Sequence, residues 1–145
     1  MQKYQRRISG PIIDRIDLWV EVPQVDYEKL GVVRGRSAPG GGTADSSQSI
    51  RAQIAKARML QNERFKEGGS KVTTNSEMVV KDLEKFAPLS DTCRKLLNDS
   101  AKRLDLSARG YHRVIKLART IADLAESKHI GEPHLLEALQ YRPKT

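Results

Sequence analysis

The chain has 145 residues, of which 38% are hydrophobic, and its 26 lysines and arginines against 18 acidic residues leave a net charge of +8. That length holds one ordinary domain, or a small domain with a tail. No run approaches the roughly 18 apolar residues of a membrane span, no apolar N-terminal stretch marks a secretion signal, and the lone Cys93 excludes an internal disulfide and fits a reducing cytoplasm.

Residues 1–45 differ in character from the rest. Ile16, Leu18, Val20 and Val22 alternate with Asp17, Trp19 and Glu21, a period-two strand pattern that Pro23 ends. No second convincing strand follows. This strand is therefore expected to belong to a sheet whose other members lie outside the chain, and to be loosely held here or to cling to an edge of the helical part. Residues 34–49 are rich in glycine, serine and other small polar residues and read as a flexible linker.

The remainder reads as helices. The first runs from about Ser47 to Lys66, with Ile50, Ile54, Ala57 and Leu60 at helical spacing, and Gly68-Gly69 stop it. A second is expected from about Ser76 to Phe86, with Val79, Val80, Leu83 and Phe86 on one side, before Pro88. The third spans about Ser90 to Leu104; Ser90 suits the N-cap, and Cys93, Leu96, Leu97, Ala101 and Leu104 form the apolar face, where Cys93 acts as a small buried hydrophobe. The longest starts after Ser107 and runs to about Ser127 with a broad stripe from Val114 to Ala125. The last starts near Pro133 and is anchored by Leu135, Leu136 and Leu139. The expected fold is mainly α: a small bundle of about five helices, at residues 46–145, preceded by an orphan strand segment and linker at residues 1–45.

The basic excess attracts phosphate, as nucleotide or nucleic acid, although interleaved acids leave solvated helix faces as the alternative. Arg109 falls in the first turn of the long helix, where free amides and the helix dipole already favour an anion. Arg113 and Lys116 follow at i+4 and i+7 and share its face. Arg15, on pattern alone, is a surface arginine within reach of Asp14 or Asp17. The spacing of His112, His129 and His134 suits no zinc motif, so no metal site is expected. The four tyrosines and Trp19 do not form a base-stacking platform. Arg6, Arg7, Arg34 and Arg36 could touch phosphate backbones without sequence selectivity, or merely solubilise. No GxxxxGK[ST] phosphate loop occurs: neither the glycines at 40–42 nor those at 68–69 precede Lys-Ser or Lys-Thr. No apolar strand ends in the paired acids that would hold magnesium.

Two stretches carry a resemblance. Ile8-Ser9-Gly10-Pro11-Ile12-Ile13-Asp14-Arg15-Ile16-Asp17-Leu18 through Pro23 and Leu106-Ser107-Ala108-Arg109-Gly110-Tyr111-His112-Arg113 through Leu124 resemble, in order and at about the right separation, two segments of the magnesium chelatase-like ATPases of the AAA+ class, in the competence protein ComM / YifB subfamily. The likeness runs from about Tyr4 to Arg142 and is weakest across the linker and around residues 69–75. It implies a C-terminal lid fragment of such an ATPase, beginning near the last strand of its core, with the phosphate-loop core missing and joined in cis. It also implies that Arg109 is the sensor 2 arginine touching the terminal phosphate of the subunit's own ATP, with Arg113 and Lys116 beside it. Arg15 matches the arginine finger that reaches a neighbour's nucleotide in trans. The family further implies ATP and magnesium in the full-length protein and none in this fragment, which is expected to be inactive alone. A homo-oligomeric ring, expected as a hexamer, a cytoplasmic location away from membranes, and action on DNA in recombination and competence complete the reading. Gly110 departs from the alanine common in relatives and leaves the helix start open. The alternatives are a basic helical DNA-binding module using the Arg109, Arg113 and Lys116 face, and a protein-interaction bundle.

Overall fold

The computed structural model describes residues 12, 15–22 and 46–143. Residues 34–45 of the expected linker, Arg6, Arg7, Arg34 and Arg36 lie outside the described residues. Among the residues from Ser46 onward that the structure describes, five helices follow one another: α1 (Ser47–Glu67), α2 (Val80–Phe86), α3 (Asp91–Arg103), α4 (Ala108–Leu124) and α5 (Glu132–Gln140), with a 3-10 turn at Asn75–Glu77 before α2.

Serine hydroxyls set three of the helix starts. Ser46, Ser90 and Ser107 accept the amides of Ser49 (3.1 Å), Cys93 (3.3 Å) and Gly110 (3.0 Å), each satisfying a donor that the first turn leaves free. Ser107 thus fixes the start of α4 that Gly110 had left open. α1 ends at Gly68, as the glycine pair predicts, and Gly69 takes φ +65°. Gly68 also lies against the Phe86 ring, where an added Cβ would come within 2.2 Å of Cε1.

The second helix is shorter than expected. Glu77 closes the 3-10 turn by accepting the Thr73 amide at 2.9 Å, and the Asp82 carboxylate accepts the Val79 amide at 2.9 Å, so the helix proper starts at Val80. Between the two caps, Met78 is drawn into the core at 1% exposure, while Val79 and Val80, expected on the apolar side, face outward. Ile50, Ile54 and Ala125, also expected to be covered, are exposed.

The strand expected at Ile16–Val22 does not form: no strand exists among the described residues. A strand is made by pairing, and this stretch pairs with no other strand among the described residues. It lies against the bundle instead, with the Trp19 amide donating to the Tyr141 carbonyl at 2.9 Å.

α4 is the spine. It contacts α1, the 3-10 turn, α2 and α5, and α3 packs on α5. Val114, Ile115, Ala118, Ile121 and Ala122 of α4 meet Phe65, Met78, Leu83, Phe86, Cys93, Leu97, Leu135 and Ala138 in one core. Phe65 and Phe86 pack edge to face, with ring centres 5.0 Å apart. Cys93 is buried, as expected, and its thiol donates to the Ile130 carbonyl at 3.5 Å.

Candidate functional site

A cleft of about 630 Å³ opens between the N-terminal half of α4, the turn leading into α2, and Asp17 with Leu18. Arg109, Arg113 and Lys116 all line it, so the i, i+4, i+7 spacing does place three cations at one site. Their states differ. Arg109 is exposed, and no hydrogen bond or ion pair engages it among the described residues. Arg113 pairs with the Asp17 carboxylate. Lys116 donates from Nζ to the Ser76 carbonyl at 2.9 Å. Burial, and then the neighbouring Arg113 guanidinium, hold the Lys116 ammonium below its ordinary pKa, with Asp17 and Asp82 opposing. The cleft therefore carries more positive charge than its own carboxylate compensates.

Beneath it lies a buried polar network that the apolar periodicity of α4 conceals. The fully buried Asp123 accepts from Arg119 Nε (3.0 Å), Asn75 Nδ2 (2.8 Å) and Arg64 Nη1 (3.2 Å). Asn75 also donates to Thr120 Oγ1 (3.1 Å), whose hydroxyl donates to the Lys116 carbonyl (3.0 Å). Arg119 completes its own bonds on the carbonyls of Ser127 (2.6 Å) and Lys128 (3.0 Å). Burial holds the Arg119 pKa below its ordinary value; Asp123 opposes this and the Arg64 guanidinium adds to it. The network fixes α1 and the 3-10 turn against α4, and so fixes the wall of the cleft.

Arg15 is not at the cleft. It is exposed, and its amide closes a turn on the Ile12 carbonyl at 2.9 Å. Asp17, a nearby candidate partner for Arg15, turns instead to Arg113. Two contacts around the cleft have no counterpart in the sequence pattern. One is this Asp17–Arg113 pair, between residues 96 apart in the chain. The other is Arg142, whose guanidinium bonds the carbonyls of Ile16 and Gly110. Neither has a local pattern; only the resemblance, which extends to Arg142, brought both segments into view.

Two of the three histidines have a defined place, one structural and one at the cleft. His134 Nδ1 accepts the Gly131 amide at 3.0 Å and caps α5. His112 lines the cleft, its ring edge-on to Tyr111 at 6.0 Å. Among the described residues no group of three or more histidines, cysteines or carboxylates could hold a metal. The donors present fit phosphate oxygens: guanidinium and ammonium groups, with one carboxylate, Asp17, already committed. They do not fit a magnesium ion, which requires free oxygen ligands.

The family model described as "Magnesium chelatase, subunit ChlI C-terminal" matches residues 44–142, which include the whole helical bundle. A second, "Magnesium chelatase, subunit ChlI", matches residues 1–30, which include Arg15 and Asp17. The chain is 36% identical over 142 residues to Competence protein ComM of Haemophilus influenzae, covering 98% of this chain and 25% of that protein. It is 31% identical over 140 residues to the protein YifB of Salmonella typhimurium, covering 97% of this chain and 25% of that one. It thus spans about a quarter of the length of the curated relatives it matches. No helix among the described residues is long and apolar enough to cross a membrane. A bundle matched from residue 44 to residue 142, with a cationic cleft on α4 (17 residues, so shorter than the 21-residue α1 although expected to be the longest helix), places the chain in the magnesium chelatase subunit ChlI family, as its C-terminal part.

Proposed function

We propose that this chain is the helical lid of an AAA+ ATPase together with the adjoining edge of its core, residues 1–45 belonging to the core and its linker and residues 46–145 to the lid. In this reading Arg109 meets the terminal phosphate of ATP held by the rest of the same protein, and Arg113 and Lys116 supply charge behind it. Arg15 serves the nucleotide of the next subunit in a homo-oligomeric ring, a hexamer. ATP provides the bond to be broken and magnesium shields its phosphates; the magnesium ligands belong to residues outside this chain.

The observation that carries the reading is the state of Arg109. It is the only one of the three cleft cations without a partner among the described residues, and it sits at the capped start of a helix beside two cations already held. A cation is disfavoured there unless an anion joins it, and a phosphate offers several acceptors to its fork. The DNA-module alternative requires Arg113 and Lys116 to face a phosphate backbone, and both already serve Asp17 and Ser76. The relative named Competence protein ComM supports a role in competence; in this reading, hydrolysis is coupled to ring remodelling on DNA during recombination.

The test is Arg109→Ala in the complete protein. We expect ATP turnover to fall by about tenfold or more, with the thermal midpoint unchanged, because the residue is exposed and holds nothing else in place. Unaltered turnover refutes the reading. Salt-sensitive DNA binding by the 145-residue chain, abolished by Arg113→Glu together with Lys116→Glu, would favour the module instead.

A further inference from the structure

We infer that Arg142 is a positioning residue that locks the segment carrying Arg15 to the helix carrying Arg109, so that the two arginines move as one body. The inference rests on the roles proposed above for those arginines.

Arg142 lies just beyond α5 and is 6% exposed. Its Nη1 donates to the Ile16 carbonyl at 3.0 Å, and its Nη2 to the Gly110 carbonyl at 3.0 Å. Each acceptor belongs to the residue that follows one of the two arginines: Ile16 follows Arg15, and Gly110 follows Arg109. One rigid fork therefore joins two backbone positions that are far apart in sequence and adjacent in role. A planar group with several diverging donors spans both carbonyls in a fixed geometry, whereas an ammonium on a flexible stem holds them less firmly. Two further ties hold the same segment: the Trp19 amide on the Tyr141 carbonyl (2.9 Å), and Asp17 on Arg113. All three anchor it to α4 or to the end of α5, where Arg142 itself lies.

The consequence is directional. A phosphate drawn onto Arg109 pulls on the first turn of α4. That turn shares Arg142 with Ile16, so the displacement reaches the backbone beside Arg15. Occupancy of one subunit's site then sets the posture of the arginine offered to its neighbour, and turnover becomes cooperative around the ring.

Two measurements test this. In the 145-residue chain, Arg142→Lys should speed amide exchange over residues 15–22 by roughly tenfold while leaving Val114–Ala122 unchanged. Unchanged exchange at 15–22 overturns the inference. Asp17→Asn, which removes an exposed ion pair and touches no core residue, should shift the same amides in the same direction; it serves as the second variant should Arg142→Lys fail to fold. In the complete ATPase, Arg142→Lys should lower kcat about tenfold with the KM for ATP within about twofold, and bring the Hill coefficient toward one. A fall in the amount of active protein with kcat per folded ring and Hill coefficient intact means a purely structural role and overturns it. Arg15→Ala separates the two ideas. If turnover survives that change, the proposed function fails whatever Arg142 does. If turnover is lost there but Arg142→Lys leaves kcat and cooperativity intact, only the present inference fails.

Discussion

Asp123 holds the bundle together in a way that no hydrophobic count would reveal. It has no exposure, and two guanidinium groups converge on it: that of the fully buried Arg119, and that of Arg64, which reaches across from α1. Carboxylate and guanidinium groups lose their water on burial, and their mutual bonds offset that loss only while every partner is present. Asp123→Asn leaves two buried or half-buried cations against a neutral amide. We expect it to destabilise the fold by about 3–5 kcal/mol, read as a lower denaturation midpoint with an unchanged slope. Gly110 makes the opposite case. An added Cβ there meets Ser107 Oγ at 3.5 Å and an Arg142 nitrogen at 3.7 Å, both ordinary contacts, and the backbone is already helical. Gly110→Ala should therefore stabilise the protein by up to about 1 kcal/mol, since alanine loses less chain entropy in a helix. A higher thermal midpoint checks it. Alanine is thus compatible with this backbone, and the glycine is not demanded by geometry.

At the scale of elements, the sequence was legible wherever the signal was local. The serine cap at Ser90 and the Gly68-Gly69 stop placed helix ends correctly, because each acts within one turn of itself, whereas the start after Ser107, left open by Gly110, was fixed by the Ser107 cap. The start of α2 was misread for an instructive reason. Periodicity marked Val79 and Val80 as a covered face, but the carboxylates of Glu77 and Asp82 break the run into two caps, and Met78 takes the core position instead. Alternation at Ile16–Val22 states a propensity, whereas pairing needs a neighbour, and among the described residues the segment clings to the helical part, one of the two outcomes expected for a strand whose sheet lies outside the chain. The candidate site divides along the same line. Arg109, Arg113 and Lys116 could be grouped from spacing alone; Asp17 and Arg142 could not, since their contacts close over 96 and 126 residues. The 3-10 turn also makes a pH prediction. Glu77 is held below its ordinary pKa, first by the Thr73 backbone amide and then by the Thr73 hydroxyl. A lowered carboxylate pKa means that the folded form favours the ion. Its contribution is complete above the unfolded value, roughly pH 4.3, and is lost as pH falls through the lower folded value. The Thr73 amide proton should shift upfield over that acid range in NMR spectra, and Glu77→Gln should abolish the transition. A Thr73 amide indifferent to acid would show that the carboxylate does not hold the turn.

Across the whole molecule, stability is unevenly distributed, and α1 shows it best. The helix has 21 residues, yet its first buried side chain is Ala57, followed by Gln61 and Phe65 at helical spacing. Its first ten residues have none, and Ile50 and Ile54 point the apolar seam of the helix at solvent. What holds that half is the Ser46 cap, worth about 1 kcal/mol, and an ion pair between Lys56 and Glu126, both largely exposed and so worth little. An isolated helical stretch that short is marginal in water. α4, by contrast, buries Val114, Ile115, Ala118, Ile121 and Ala122 and is gripped from four elements. Opening it requires dismantling the core; opening the start of α1 requires almost nothing. Hydrogen exchange should therefore be graded along α1, fastest over Ile50–Lys56 and slowing by several orders of magnitude toward Phe65, with Val114–Ala122 slow enough to report global unfolding. The gradient discriminates between two accounts of this helix. If Ile50–Lys56 proves as protected as Phe65, something covers Ile50 and Ile54 in solution, and the amino-terminal half of α1 is an interface. If it exchanges freely, α1 is anchored only where Arg64 and Phe65 meet α4, and the wall of the cationic cleft is held from that end alone.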